Sequence, residues 1–286
     1  MKLMILGSSG MAGNMMSRYF KSHYADYEIV DIARNGKLYP VKYHIDIEHD
    51  LTLLEEIITE EAPNVIINCI GLLVRESNDN PERAISVNSY FPHWLETVTK
   101  STKTKIVHIS TDCVFDGKKG FYSEKDIPNE TNWYGRSKAL GELNNNKDLT
   151  IRTSIIGTEL KQNGSGLLEW ARRQKEAVNG YTNCFWNGVT TYELAKFVDY
   201  MLFCYPDFSG LYHLNHPKKI SKADLLGLIY KTYYNDIKIN PVTNPVLDKT
   251  LVNTRCFEIK YTTPIYEAQL REMYNFNKEV EDGNNK

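Results

Sequence analysis

Cysteine is scarce in this chain: five residues in 286, at 69, 113, 184, 204 and 256, odd in number, scattered and without a C-x-x-C pair. That excludes a disulfide framework, so the thiols read as reduced cysteines of a reducing compartment, and no metal site is expected. An excess of charge is missing too. Lys and Arg total 34 against 36 Asp and Glu, with no cluster of one sign, which leaves no electrostatic footprint for nucleic acid or a membrane surface. No apolar run approaches a bilayer span; Val65 to Gly71 is only strand length. The N-terminus lacks signal-peptide architecture, and neither an internal repeat nor a low-complexity linker is present. The expectation is a soluble cytoplasmic protein whose length suits one large α/β domain or two unequal lobes.

What is there is an alternation. Strand-length apolar runs at Lys2–Leu6, Glu28–Ile32, Lys42–Ile47, Val65–Cys69, Ile106–Ser110 and Leu149–Ser154 are separated by helical stretches at Met11–Phe20, Leu51–Glu61, Pro81–Lys100 and around Tyr134–Lys138. Such alternation predicts an α/β fold, a Rossmann-type doubly wound parallel sheet with helices on both faces. Ligands of such sheets bind at the carboxyl ends of the strands. Gly7, Asn68 to Gly71 and Ser110 to Asp112 are therefore expected along one crevice. Beyond Ser154 the alternation weakens. The reading assigns 1–155 to a dinucleotide-binding domain, completed by part of 187–210, and 156–286 mostly to a smaller substrate-binding lobe. The tail from Asn275, too polar to fold alone, is expected to be disordered near 277–286.

The first strand leads into Gly7-Ser8-Ser9-Gly10-Met11-Ala12-Gly13, spaced G-x-x-G-x-x-G. Glycines there let a pyrophosphate approach unpaired N–H groups at the start of a helix, so Gly7, Ser9, Gly10 and Gly13 are cofactor-binding candidates. The same turn would also serve for plain packing of strand on helix. The second strand ends in Ala33-Arg34, where an Arg accommodates the 2′-phosphate of NADP and an acid would select NAD. NADPH is therefore favoured, with NADH the alternative should Asp31 prove to be the strand-tip residue.

Tyr134 and Lys138 are four apart on a predicted helix and share a face. A phenol, ordinarily titrating near about 10, becomes a useful acid-base group when an ammonium stabilises phenolate. The lysine can also hold nicotinamide ribose hydroxyls. Thr111, at the end of a strand, would donate to a carbonyl oxygen that gains charge as hydride arrives, with Ser110 as understudy. Y-x-x-x-K alone is a common chance pattern of anchored Tyr and solvated Lys. Its place some twenty residues after a strand-end Ser-Thr, in a chain opening on a glycine turn, points to carbonyl reduction.

Ser110-Thr-Asp-Cys-Val-Phe-Asp-Gly117, Tyr134-Gly-Arg-Ser-Lys-Ala-Leu-Gly-Glu142 and Ile151-Arg-Thr-Ser154 together resemble the dTDP-4-dehydrorhamnose reductase family of extended short-chain dehydrogenases/reductases. The likeness runs from the glycine turn through Asn68 to Gly71 and Val87-Asn88 to Gly210–Leu214. It implies NADPH- or NADH-dependent reduction of the C4 ketone of a nucleotide-diphospho-6-deoxyhexose, in deoxysugar biosynthesis for surface polysaccharide. Thr111, Tyr134 and Lys138 take the catalytic roles. Gly7, Gly10, Met11, Arg34, Asp46, Ile47, Asn68, Cys69, Ile70 and Gly71 would contact the cofactor. Ser110, Asp112, Cys113, Trp186 and Lys249 fall to the substrate side, Lys249 and Arg255 where the family meets nucleotide phosphates.

Two departures bear on the sugar. Cys113 stands where the family commonly has Tyr, and Ile155-Ile156-Gly157 replaces an aromatic-containing stretch. The latter form is similar to the branch reducing UDP-linked 2-acetamido-4-keto-2,6-dideoxyhexoses. Trp186, in Trp186 to Thr191, either touches sugar or nucleotide or simply packs, and for Lys249 and Arg255 surface charge is the plainer role. His213-x-x-His216 on a strand faces two ways and is not read as a metal pair. The rival readings are a non-catalytic NADP-binding regulatory subunit, and a sugar-nucleotide epimerase or dehydratase, for which Asp112 is the sole extra acid-base candidate. A homodimer is the candidate assembly.

Overall fold

The computed structural model describes residues 1–37, 39–160, 164–234 and 237–283. Its centre is set by the first strand, Lys2–Leu6 (β1), buried from Leu3 onward. Leu3 and Ile5 enter one hydrophobic cluster and Met4 and Leu6 another, the two-residue period of a strand covered on both faces. The other strands of its sheet are Glu28–Ala33 (β2), Tyr43–His44 (β3), Val65–Asn68 (β4), Lys105–Thr111 (β5), Leu149–Thr153 (β6) and Gly210–His213 (β7). They lie in the order β7-β6-β5-β4-β1-β2-β3, with every pair parallel. The order reverses between β1 and β4, the switch point at which such sheets leave a crevice. Of the expected 42–47 strand only Tyr43–His44 pairs.

Five helices matter for the site: Met11–His23 (α1), Leu51–Glu61 (α2), Phe91–Thr99 (α3), Trp133–Leu140 (α4) and Thr191–Cys204 (α5). Met15, Met16 and Phe20 of α1 and Phe197, Val198 and Met201 of α5 pack on one face of the sheet. Leu54, Ile57 and Ile58 of α2 and Phe91 and Leu95 of α3 pack on the other. Ahead of α3, Ile85–Tyr90 winds as a π-helical turn. Such widenings recur at functional sites.

Beyond β6 the strands become short. Cys184–Trp186 lies between Ile220–Ser221 and Leu247–Asp248, and Val178–Tyr181 pairs with Ile239–Val242. Ser221 caps Lys222–Tyr233 (α6) by accepting from the Asp224 N–H. The last helix, Tyr266–Gly283 (α7), overturns the expectation of an unfolded tail from Asn275. Tyr266, Leu270, Met273 and Phe276 form an apolar stripe at helical spacing, all buried in the main cluster. Composition from Asn275 onward missed this because the helix begins nine residues earlier. Residues 284–286 of that expected tail lie outside the described residues.

Candidate active site

The glycine turn closes over the carboxyl end of β1. Gly7 has a φ of 80°, and a Cβ there would stand 3.2 Å from the backbone of Cys69 and Ile70, so the β1 and β4 loops touch. A Cβ on Gly13 would come within 2.2 Å of the Gly7 carbonyl oxygen. Gly7 and Ser8 donate their N–H groups to Ile32 O at 2.9 and 3.1 Å, tying the turn to β2. Ser9, Gly10 and Met11 remain accessible at the start of α1. That end has no acidic residue in its first turn and no side-chain cap, so its N–H groups face outward free of a competing carboxylate. The cradle fits a pyrophosphate.

At the tip of β2 Arg34 is exposed, and Arg34, Asn35, Gly36, Lys37 and His44 line a concavity. Lys37 and His44 were not anticipated; the signal lay in their short distance along the chain from Arg34. Asp31, the acid that would have favoured NAD, is not at the tip. It is buried within β2, where Ser17 (2.8 Å) and Lys21 (2.5 Å) donate to it.

The β4 loop is shaped from within. Asn68, fully buried, accepts the Ile70 N–H at 3.1 Å through Oδ1 and meets His108 Nδ1 at 3.1 Å. Its side chain therefore builds the loop, in which Cys69 and Ile70 pack partly buried against the core clusters and Gly71 is exposed. Burial pushes the Cys69 thiol up to about 12. Asn88, at the π turn, accepts from Leu72 N at 2.8 Å and donates to Ser137 Oγ at 3.1 Å, joining this loop to α4. Asp46 and Ile47 follow β3; Asp46 Oδ1 accepts from Glu48 N, and Ile47 is buried in the core.

On the other side of the switch point, β5 and α4 bring Thr111, Tyr134 and Lys138 together. Asn132 caps α4 by accepting from Gly135 N at 2.9 Å. A Cβ on Gly135 would collide with Cys113 O at 2.3 Å, so the helix start presses on the 111–114 turn. Lys138 is buried and donates to Ile109 O at 2.8 Å, and a Cβ on Gly71 would be 3.8 Å from its Nζ. Burial pulls the Lys138 ammonium down to about 8, opposed by the Glu142 carboxylate. Tyr134 departs from expectation. Burial first, with Cys113 and Asp112 adding to it, pushes its phenol up, and the Thr111 hydroxyl opposes. Lys138, committed to Ile109 O, is not among the groups that move it.

Ser110 and Thr111, successive on a strand, face opposite ways. The Ser110 hydroxyl donates to Glu142 at 2.7 Å and so does not serve as the understudy. Glu142 is clamped by Arg152 through two bonds of 2.6 Å, and Arg152 Nη1 lies 3.3 Å from His213 Nε2. Glu142 went unread although it stands four residues after Lys138, within the quoted stretch. Lys249 does reach the site: it acts on Asp112 and Cys113 and donates to the partly buried Glu130 at 2.7 Å. Burial pushes the Cys113 thiol up to about 12. Trp186 is not brought there. It is buried in the core against Tyr266, ring centres 5.5 Å apart, because its strand lies between two others. Arg255 pairs with Glu258 and with the Ser209 and Leu211 carbonyls.

The chain is 38% identical over 102 residues to a probable low-salt glycan biosynthesis reductase of Haloferax volcanii, covering 35% of this chain and 34% of that protein. It is 32% identical over 159 residues to a dTDP-4-dehydrorhamnose reductase of Aggregatibacter actinomycetemcomitans, covering 54% of this chain and 51% of that one. The matches thus span from about a third to about half the length of these relatives. A dTDP-4-dehydrorhamnose reductase of Bacillus anthracis, solved in complex with NADP, shares the fold with a TM-score of 0.79 at 20% identity, over 96% of this chain and 97% of the other. The family described as the RmlD substrate binding domain matches residues 1–249. The chain belongs to that family.

Proposed function

We propose that the protein is an NADPH-dependent reductase of the C4 ketone of a nucleotide-diphospho-4-keto-6-deoxyhexose. The observation that carries the proposal is the meeting of Thr111, Tyr134 and Lys138 beside Gly71, across the switch point from the glycine cradle. The named reductases among its relatives support a dTDP-linked sugar, and the small Cys113 leaves open a bulkier UDP-linked 2-acetamido substrate. Arg34, with Lys37 and His44 beside it, suits a 2′-phosphate, which favours NADPH over NADH.

When bound, the nicotinamide supplies a hydride to sugar C4 and is left oxidised. Gly7, Ser9, Gly10 and Met11 would hold its pyrophosphate, and Lys138 its ribose. Tyr134, kept protonated by its surroundings, delivers the phenol proton to the carbonyl oxygen, so that ketone, hydride and proton become a secondary alcohol. Thr111 donates a hydrogen bond to the oxygen while charge develops there.

NADPH oxidation, followed by absorbance with freshly generated dTDP- and UDP-linked 4-keto-6-deoxy sugars, 2-acetamido forms included and NADH in parallel, tests the reading. Consumption with one sugar is expected and names the substrate class. Silence across the panel with NADPH still bound would favour a regulatory subunit.

A further inference from the structure

Thr111 has a single proton and too many claims on it. Its Oγ1 accepts the Cys113 N–H at 3.1 Å, which uses one lone pair. The same oxygen lies 3.2 Å from Asp112 Oδ1. An ionised carboxylate is acceptor only, so against ionised Asp112 the Thr111 proton is spent on the carboxylate and a sugar carbonyl, also an acceptor, receives nothing. A protonated Asp112 reverses the bond: it donates to Thr111 and releases the Thr111 proton toward the crevice.

Resting on the reductase reading, we propose that Asp112 is a positioning residue that aims the Thr111 hydroxyl, and that the competent enzyme carries a proton on Asp112. The surroundings fit. Asp112 is buried at the end of β5 beside Tyr134; Thr111, Cys113 and Ser154 donate to it and, with the cation Lys249, favour its carboxylate, while burial opposes them as the largest effect. Lys249 would favour the carboxylate, but its ammonium is already bonded to the partly buried Glu130 at 2.7 Å. Burial outweighs what remains, and the Asp112 carboxyl is held above the ordinary aspartate range. Glu130 thereby acts at one remove, keeping the charge of Lys249 from Asp112.

Two variants and two readouts decide the matter. Infrared difference spectra of the full-length protein against Asp112→Asn, titrated with pH, should show a protonated carboxyl band persisting above the range where ordinary aspartates ionise. Glu130→Gln, which frees Lys249, should move that band's loss to lower pH. In kinetics, kcat of the parent should fall with rising pH as Asp112 ionises, by about 10²-fold in full, the worth of one oxyanion donor. Asp112→Asn, whose amide donates to Thr111 at every pH, should lack that limb but keep the separate one due to Lys138. Glu130→Gln should shift it in step with the band. A carboxylate band throughout, or a limb untouched by both substitutions, overturns the proposal. Absence of turnover in the parent with every 4-keto sugar would instead overturn the reductase reading, and the infrared titration would still decide whether Asp112 keeps its proton.

Discussion

Burial holds Tyr134 protonated and brings Lys138 close to losing its proton, and the two effects have opposite consequences for pH. Lys138 titrates at about 8 in the folded chain against 10.5 unfolded. Between those values the unfolded state binds more protons, so stability rises with pH there, and the full cost is present below about 8. Lys138→Met should therefore be more stable than the parent at neutral pH, by up to about 3 kcal/mol. Its advantage should shrink toward pH 10.5. Urea unfolding across this range checks it, and a constant gap would contradict the assignment. Arg34 is the other residue with a separable effect. Arg34→Ala should weaken NADPH about ten- to a hundredfold, the worth of one to two charge-assisted bonds, and leave NADH binding unchanged in fluorescence titrations. Equal loss of both would show that Arg34 holds no 2′-phosphate.

Among the elements, the turn between β1 and α1 is the least forgiving. Gly13→Ala puts a Cβ 2.2 Å from the Gly7 carbonyl oxygen, an atom fixed by the sheet. Loss of NADPH binding and a lower melting temperature are expected together; a variant that binds normally would mean that the helix start can move. This element was legible in sequence because glycines, apolar runs and the Tyr134 and Lys138 spacing are local signals. The Arg34 end of β2 was legible for the same reason. What was illegible depends on partners distant in the chain. Nothing near Trp186 announces Tyr266, nothing near Lys249 announces Glu130 at a separation of 119 residues, and the direction of the Tyr134 shift follows from burial that spacing cannot report. The apolar stripe of α7 was missed only because the tail was weighed apart from Tyr266 and Leu270.

Across the whole molecule, a buried polar chain ties the site to the C-terminal part. Ser110, Glu142, Arg152 and His213 run from β5 through β6 to β7, and His213 Nδ1 meets Val252 O at 3.1 Å. Burial pulls His213 down to about 4, so it serves as a neutral link. Glu142→Leu leaves Arg152 as an unpaired buried charge and should cost about 3–5 kcal/mol in denaturant unfolding. The double substitution with Arg152→Met should recover most of it. If the single change is as mild as the double, the pair does not hold the two parts together. In the proposed reaction hydride reaches sugar C4 while Tyr134 delivers the proton. NADPH carrying deuterium at nicotinamide C4 tests it most directly, with the product of the parent and of Tyr134→Phe read by NMR. Deuterium at C4 of the sugar in the parent, and turnover lower by about 10²–10⁴ in the variant, is the predicted result. Deuterium at another carbon, or undiminished turnover without the phenol, would contradict it.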